Sequence, residues 1–285
     1  MFYPDRPFTL SFELFPPKTP AAEAALWDNL KHLMDFRPDV VTCTYGAGGS
    51  TRDKTLDIVD QTKRRFGVRV ASHLTCVGST VEQLQAYLIE VQRRGIENIV
   101  ALRGDPPRGE TSFQPVAGGL RFASELVELI HREFPKLGIA VAGYPETHQE
   151  ATSPQSDLEN LKRKVAAGGH CVITQLFFDN RDFFRFRERC KELSINVPII
   201  PGILPVTNLA QIQRITSLCK AKLPPEFIAE LSQKDEAEWQ FAAGVRWAAR
   251  QVQELIDAGV PGLHFYVLNK SPATAAVLNK VRRPN

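Results

Sequence analysis

The stretch Asn98–Gly104, with the sequence NIVALRG, is an almost continuous apolar run, and Asp105 follows it directly. Such a short run is typical of a parallel β-strand that is buried on both faces. A second run of the same character, GIAVAGY, occupies Gly138–Tyr144. Between the two, the apolar residues change to helical spacing, which is expected where a helix connects parallel strands.

Six further runs of strand type repeat this arrangement along the chain. They are Phe8–Phe15, Val40–Tyr45, Arg69–Thr75, Cys171–Phe178, Val197–Leu204 and Gly262–Asn269. Eight such runs alternating with helical segments predict a closed (β/α)8 barrel of the α/β class, the TIM-barrel fold. The length of 285 residues suits one barrel, so we expect residues 1–285 to form a single domain.

One connection is longer than the others, the one between Leu204 and Gly262. It predicts an extra helical insertion before the last strand, with helices near Asn208–Leu218 and Glu236–Ala258 and a break at Pro224–Pro225. An insertion of this kind usually covers the substrate mouth of a barrel.

Helix starts are also visible in the sequence. Thr19 followed by Pro20 predicts the beginning of a helix, and so does Ser153 followed by Pro154. Ser79 and Glu82 form a capping-box signature for a third helix, which we expect to stop at Gly95.

Composition and spacing exclude several classes of protein. The formal net charge of +3 gives no sign of a nucleic-acid partner or a polybasic membrane contact. The N-terminus MFYPDRPF lacks a secretory signal, and no apolar run approaches the roughly 20 residues that span a bilayer. The five cysteines are odd in number and lack a CxxC pair, which favours reduced thiols in a cytoplasmic protein. No HxH or HExxH spacing occurs, so we expect no metal.

Polar residues end most of the predicted strands, where barrel enzymes build their active sites. They are Glu13, Thr44, His73, Asp105, Tyr144, Gln175 and Asn269. Strand alternation places Glu13 either inside the barrel or under a helix, and the inward position avoids burying a carboxylate against apolar side chains. There Glu13 is a candidate acid or base whose pKa partial burial would raise, or else a salt-bridged structural carboxylate.

Three other features allow both a functional and a structural interpretation. Asp105 lies behind a glycine that lets a ligand approach the backbone, but it could equally pair with Arg103. A lone histidine such as His73 is more often a structural hydrogen bonder than a catalyst. Asp157, Asn160 and Lys164 share one helix face at i, i+3 and i+7, which by pattern alone is typical of a solvated row.

Two nucleotide-binding motifs do not occur in the sequence. There is no GxGxxG after a strand and no GxxxxGK[ST], which disfavours a Rossmann domain and a P-loop. A nucleotide cofactor would therefore have to bind in a barrel mode.

Nine segments together carry a resemblance to a known family. They are FELFPPKT, VTCTYGAGGSTRDKT, SHLTC, IVALRGDPP, GYPETH, DLENLKRKVAAG, ITQLFFD, PGILPVTN and HFYVLNK. In this order they resemble the methylenetetrahydrofolate reductase family, in its bacterial single-domain type, from about Phe8 to Lys270. The resemblance implies an α/β barrel that binds FAD without a Rossmann domain. It further implies reduction of 5,10-methylenetetrahydrofolate to 5-methyltetrahydrofolate by NADH or NADPH, which supplies methyl groups for methionine synthesis.

The same resemblance implies roles for individual residues. Nicotinamide and folate would use one flavin face in turn, by a ping-pong mechanism, with Glu13 as the general acid and Asp105 beside the pterin and the flavin. Gln175, Gln211 and Lys270 would contact the folate. The FAD-binding positions would be Thr44, His73, Arg103, Gly104, Asp105, Phe122, Ala123, Tyr144, His148, Ala151, Asp157, Asn160, Arg163 and Lys164. A homo-oligomer, dimer or tetramer, is expected by the same analogy.

Three positions depart from the family pattern. Phe122 stands where a tyrosine is common, and Ile215 stands where an aromatic residue stacks on nicotinamide or folate. Lys270 replaces an arginine, which keeps the charge and loses the bidentate fork.

Two other functions stay open at the level of sequence. A cofactor-free lyase or aldolase could use Glu13 and Asp105 as acid and base, with Lys270 as its Schiff-base lysine, because one barrel fold hosts many chemistries. A folate- or nucleotide-binding protein without catalysis is the second alternative.

Overall fold

The computed structural model describes residues 2–45, 52–106, 109–110 and 112–284. Its nine strands are β1 (Thr9–Leu14), β2 (Val40–Cys43), β3 (Arg69–Thr75), β4 (Asn98–Leu102), β5 (Gly138–Gly143), β6 (Cys171–Thr174), β7 (Ile199–Ile200), β8 (Gly202–Ile203) and β9 (Gly262–Tyr266). The helices described are α1 (Pro20–Met34), α2 (Arg52–Phe66), α3 (Val81–Arg93), α4 (Ala123–Glu133), α5 (Pro154–Ala166), α6 (Asn180–Glu192), α7 (Leu209–Cys219), α8 (Pro225–Leu231), α9 (Ala237–Asp257) and α10 (Pro272–Leu278).

The strands form one sheet in the order β7-β6-β5-β4-β3-β2-β1-β9-β8, and every ladder in it is parallel. Strands β7 and β8 are the two halves of the predicted run Val197–Leu204. Pro201 divides them, since proline has no N–H to give to a ladder. Strand β7 pairs with β6 and β8 pairs with β9, so this run brings the two edges of the sheet together. The predicted α/β barrel is confirmed.

The barrel interior is mostly apolar at its lower end, apart from the hydroxyls of Thr9 and Ser11 on β1, and polar at its upper end. Phe2, 1% exposed, plugs the lower end. Around it lie side chains from successive strands: Val40, Ala71, Val100, Ala140, Cys171, Ile173 and Ile200. Farther along the same strands the inward positions are polar, as at Glu13, Thr42 and His73. The polar end is the C-terminal end of the strands, where the active site is expected.

Local capping signals explain most helix starts. The Thr19 hydroxyl accepts a hydrogen bond from Ala22 N at 3.2 Å, and Ser153 caps α5 in the same way. The capping box of α3 consists of Thr80 and Gln83, so the predicted pair Ser79 and Glu82 was wrong by one residue. The hydroxyl of Ser79 instead accepts a hydrogen bond from the guanidinium of Arg52 at 2.6 Å.

The insertion before the last strand folds as helices α7, α8 and α9. Pro224 and Pro225, predicted to break the chain, begin α8, because proline is tolerated in a first helical turn. The rings of Phe227 and Trp247 stack at 4.4 Å, and the Trp247 indole donates a hydrogen bond to Phe178 O, just beyond β6. The insertion therefore packs against the polar end of the barrel. Among the described residues, no helix has both the length and the apolar character required to cross a bilayer.

Candidate active site

Glu13 points into the barrel from the end of β1, as strand alternation predicts. Its neighbours Phe12 and Leu14 are buried in the layer between strands and helices. The carboxylate meets two imidazoles: its Oε2 lies 3.2 Å from Nε2 of His264 on β9 and 3.3 Å from Nε2 of His73 on β3. The contact with His264 is a hydrogen bond. Nε2 of His73 lies off the hydrogen-bonding direction, so its contact with Glu13 is mainly one of charge.

These two histidines determine the acidity of Glu13. Burial raises the pKa of this carboxyl group, but the charge of His73 and the hydrogen bond from His264 outweigh burial and bring the pKa down to about 2. The prediction of a raised pKa was therefore wrong for the protein by itself. Glu13 is an ionised carboxylate at neutral pH, stabilised by its neighbours on β3 and β9.

His264 is a candidate functional residue that sequence reasoning missed. It is completely buried, and its Nδ1 lies 2.8 Å from the hydroxyl of Ser11, which in turn lies 2.8 Å from the hydroxyl of Tyr3. Strand β9 reaches Glu13 only because the barrel closes and places the last strand beside the first. Combining that closure with inward alternation along β9 would have identified His264 from sequence.

Three buried polar atoms at the upper end lack a hydrogen-bond partner among the described residues. They are Oγ1 of Thr42, Oγ1 of Thr75 and Nε2 of His73. Buried polar groups without a partner are uncommon in native proteins, because leaving a hydrogen bond unmade costs free energy. A polar ligand above Glu13 would satisfy them.

A second cluster lies on the loops that follow β4 and β5. Both terminal nitrogens of the Arg103 guanidinium donate hydrogen bonds to the Glu150 carboxylate, at 2.6 and 2.7 Å. The guanidinium carbon lies 5.0 Å from the centre of the Phe113 ring. The alternative that Arg103 pairs with Asp105 is wrong, because Arg103 pairs with Glu150 and the Asp105 side chain is exposed. Gly104 has a φ of +87°, and a side chain there would collide with Val77.

Helix α5 borders this second cluster with the predicted polar row. Asp157 is half-buried and accepts a hydrogen bond from His148 N at 3.0 Å, and the His148 ring packs edge-on against Tyr144 at 4.6 Å. The Nζ of Lys164 donates to Ala142 O at 2.5 Å and lies 5.8 Å from the Tyr144 ring centre. The row therefore lies partly against the barrel and is not a fully solvated face.

Lys164 is the clearest sign of an anion site. Burial lowers the pKa of this ammonium group to about 8, although the negative charge of Asp157 opposes that effect. A half-buried cation beside an aromatic ring is stabilised by an anion that approaches it, and a pyrophosphate has the required charge.

The remaining predicted cofactor positions surround the same end of the barrel. Thr44 follows β2 and its N–H donates to Leu14 O, while Phe122, 53% exposed, precedes α4 with Ala123 as the first helical residue. Ala151 lies in the loop before α5. Asn160 and Arg163 are exposed on α5 and joined by a 3.0 Å hydrogen bond.

The predicted folate positions lie on three separate elements. Gln175 follows β6, and its side-chain oxygen accepts from Leu176 N. Gln211 is exposed on α7, and Lys270 is exposed after β9. Within the described part of the chain, these three side chains do not hydrogen-bond to one another or to Glu13. In the same part of the chain, no group of three or more His, Cys, Asp or Glu residues could hold a metal ion.

The sequence of this chain is similar to those of known methylenetetrahydrofolate reductases. A protein-family model described as methylenetetrahydrofolate reductase matches residues 4–282. The 5,10-methylenetetrahydrofolate reductase of Escherichia coli (strain K12) is 41% identical over 270 residues, covering 94% of this chain and 88% of that protein. Methylenetetrahydrofolate reductase (NADH) 1 of Arabidopsis thaliana is 38% identical over 279 residues, covering 94% of this chain. The chain spans about half the length of the plant relatives, 47–49% of each.

Solved structures agree on the fold. A Clostridium thermocellum protein described as binding two copies of 5-methyl-5,6,7,8-tetrahydrofolic acid matches with a TM-score of 0.64 and 15% identity, over 96% of this chain and 93% of that chain. An oxaloacetate acetylhydrolase matches with a TM-score of 0.53 and 10% identity, over 95% of this chain and 79% of that chain. At these identities the likeness concerns the barrel fold alone.

Proposed function

The chain belongs to the methylenetetrahydrofolate reductase family, and we propose that it reduces 5,10-methylenetetrahydrofolate to 5-methyltetrahydrofolate with FAD and a nicotinamide nucleotide. The observation that carries this proposal is the inward Glu13 carboxylate, held by two imidazoles at the C-terminal end of the barrel. Residues 1–285 would act as one catalytic domain.

The residues of the second cluster fit FAD. Lys164 offers a half-buried ammonium for a pyrophosphate, with Arg103 and Arg163 as further cations nearby. The unpartnered hydroxyls of Thr42 and Thr75 offer hydrogen bonds to a polar ring edge at the barrel centre. Bound FAD would supply hydride storage between the two substrates.

Glu13 would serve the folate half of the reaction. The substrate holds its one-carbon unit as a bridge between N5 and N10. Protonation of N10 lets the bond from that carbon to N10 break, which leaves an electrophilic carbon on N5 for hydride addition. Glu13 would donate this proton, and Asp105 would hold the pterin ring in place. Gln175, Gln211 and Lys270 would bind the rest of the folate.

A general acid with a pKa of about 2 holds no proton at neutral pH. Substrate binding must therefore raise the pKa of Glu13 before this residue can donate a proton. A pterin ring above the carboxylate would displace water and bury it further. Burial is the effect that already opposes ionisation there. The neighbouring imidazoles would then be the nearest groups able to hand a proton to Glu13.

The wider setting of the enzyme is proposed from family membership alone. We infer a homo-oligomer, dimer or tetramer, acting in the cytoplasm and supplying methyl groups for methionine synthesis. Analytical ultracentrifugation of the purified protein would test the first of these points, and a single monomeric species would contradict it.

The test of the proposed function is the visible spectrum of the purified protein with and without added FAD. We expect flavin absorption that bleaches anaerobically with NADH or NADPH and recovers when 5,10-methylenetetrahydrofolate is added. Comparing the two nucleotides gives the preferred reductant. A protein that takes up no flavin, or whose bleached flavin does not recover with the folate, would contradict the proposal.

A further inference from the structure

A buried hydrogen-bonded chain runs up the inside of the barrel to Glu13. The Tyr3 hydroxyl lies 2.8 Å from Ser11 Oγ, Ser11 Oγ lies 2.8 Å from His264 Nδ1, and His264 Nε2 lies 3.2 Å from Glu13 Oε2. Ser11 and His264 are both completely buried. The proposed acid–base step treats His264 only as one of two imidazoles beside Glu13 and gives Ser11 and Tyr3 no role.

The contacts of Ser11 favour a fixed proton on Nδ1 of His264. Ser11 Oγ also lies 3.3 Å from Leu263 O, which can only accept a hydrogen bond. A hydroxyl has one proton to donate and two lone pairs to accept with. If Ser11 donates to Leu263 O, then Tyr3 and His264 Nδ1 both donate to Ser11, and all three contacts are satisfied.

This arrangement leaves Nε2 as the nitrogen of His264 that can gain or lose a proton, and Nε2 faces Glu13. Tyr3 anchors the other end of the chain. Burial raises the pKa of its phenol well above the ordinary value, so Tyr3 keeps its proton and orients Ser11. The series of hydrogen bonds therefore ends at Tyr3, and the proton that can move is the one between His264 and Glu13.

We propose that His264 stores the proton that Glu13 donates to the folate, and that Ser11 and Tyr3 position its ring for that transfer. The inference rests on the proposed function and adds positioning residues to it. On folate binding, the Nε2–H bond of His264 breaks and the O–H bond of Glu13 forms. The O–H bond then breaks as N10–H forms, and the electron pair of the broken C–N10 bond stays on N10. After product release, one proton from water returns to the pair through Glu13.

Other titratable groups face this pair and enter its pH dependence. They are His73 on β3, Cys43 on β2, Tyr266 on β9 and Tyr3 of the N-terminal segment. Burial raises the pKa values of Cys43, Tyr266 and Tyr3 well above the ordinary range, so these groups stay neutral near neutral pH. His73 is the remaining competitor, and its Nε2 lacks the aligned hydrogen bond to Glu13 that His264 has.

The experiment compares His264→Gln and Ser11→Ala with the wild type, each loaded with FAD, by anaerobic stopped-flow between about pH 6 and 9. Flavin reduction by the nicotinamide nucleotide and flavin reoxidation by 5,10-methylenetetrahydrofolate are followed separately. The glutamine keeps a neutral N–H donor toward Glu13 and cannot take up a proton. Thr9→Val is the matched control. Thr9 carries a buried, inward-facing hydroxyl on β1 that donates to Pro261 O and takes no part in the hydrogen bonds from Tyr3 to Glu13.

We expect His264→Gln to slow reoxidation by at least tenfold, part of the ~10²–10⁴-fold that a general acid contributes. The loss should grow as the pH rises, since Glu13 without its proton store is protonated less readily. Flavin reduction should stay within about twofold, because it needs no proton from Glu13. Ser11→Ala, which deletes one oxygen atom, should shift the pH profile in the same direction by a smaller amount, and Thr9→Val should resemble the wild type.

Two results would overturn the inference while leaving the proposed function intact. One is a His264→Gln enzyme that reoxidises at the wild-type rate with the wild-type pH profile. The other is an equal loss in both half-reactions at every pH in both variants, which would indicate packing alone. A wild-type flavin that the folate never reoxidises would instead overturn the proposed function itself, together with the inference that depends on it.

Discussion

The two polar clusters at the upper end of the barrel differ in how completely their charges are matched. Around Glu13, side chains from three strands meet, and the carboxylate has partners on both β3 and β9. Around Lys164, side chains from loops and one helix leave a half-buried ammonium close to a carbonyl and an aromatic ring. The first cluster is organised by the chain itself, whereas the second has the charge pattern of a site that an anion completes.

The difference follows from the elements that build each cluster. Strands of a closed barrel hold inward side chains at fixed spacing, so acid and base groups can be set in advance of the substrate. Loops and helix ends move more easily and can adapt to a large cofactor. We therefore expect substitutions at Glu13 to change chemistry, and substitutions near Lys164 to change cofactor affinity.

Glu13→Gln should have the largest effect. The amide keeps the shape of the side chain and cannot act as an acid. Reoxidation of the flavin by 5,10-methylenetetrahydrofolate should fall by about 10²–10⁴-fold, while reduction by the nicotinamide nucleotide stays largely intact. Anaerobic stopped-flow of the two half-reactions measures both rates. Equal loss of the two would remove the distinction between a chemical cluster and a cofactor cluster.

The acidity of Glu13 also predicts how stability depends on pH. Its pKa of about 2 lies below the ordinary value of 4.5, so the ionised group contributes stability that is present above about pH 4.5. That contribution is lost as the pH falls through about 2, and its upper limit is about 3 kcal/mol. Urea unfolding of the wild type and Glu13→Gln across this window measures it as the difference between the two proteins. Glu188→Gln, an exposed position on α6, is the control.

A Glu13→Gln protein that loses stability with acid as steeply as the wild type would contradict this view. It would mean that the two imidazoles do not stabilise the carboxylate, and the first cluster would then be no better matched than the second.

Sequence alone predicted the frame of the barrel because its signals are local and strong. Continuous apolar runs such as Asn98–Leu102 are typical of strands buried on both faces, and the helix starts at Thr19 and Ser153 follow from hydroxyl caps followed by proline. The errors were also local. The capping box of α3 was placed one residue early, and the break at Pro201 inside a strand run was not predicted.

The candidate site was predictable in position and not in its electrostatics. Alternation placed Glu13 inside the barrel, but its pKa depends on His264, which is 251 residues away in sequence. Burial alone raises a carboxyl pKa, so reasoning from Glu13 without its partners gave the wrong sign. The pairing of Arg103 with Glu150 was missed for a similar reason, since it joins two loops whose relative position no sequence pattern shows.

Lys164→Met should weaken FAD binding by about 10–100-fold, the range expected when a charge-assisted hydrogen bond worth about 1.5–3 kcal/mol is lost. Wild-type affinity should be full below about pH 8 and decline as the pH rises through that value, because only the ammonium form attracts a phosphate. The variant should lack this decline. Fluorescence titration with FAD across pH measures both effects, and Lys162→Met, exposed on the same helix, is the control.

An FAD affinity of Lys164→Met equal to that of the Lys162→Met control would show that the ammonium of Lys164 is not an anion site. The second cluster would then need no anion to complete it, and the contrast with the Glu13 cluster would disappear.

Glu150→Gln should have the smallest effect and the opposite sign. In the structure the guanidinium of Arg103 is paired with the Glu150 carboxylate. We propose that the same guanidinium binds the FAD pyrophosphate, so Glu150 and the pyrophosphate compete for it. Both side chains are partly exposed, and such pairs are worth about 1 kcal/mol or less. Removing the competing charge should therefore tighten FAD binding by no more than about fivefold.

Glu159→Gln separates this competition from a general change in charge. Glu159 is an exposed carboxylate on α5 that hydrogen-bonds to Gln155 and does not contact Arg103. Tighter FAD binding in Glu150→Gln alone would mean that Glu150 pairs with Arg103 until FAD displaces it. Weaker binding in that variant would mean instead that the pair holds the loop in its binding shape. The second cluster would then be organised by the chain itself, as the Glu13 cluster is.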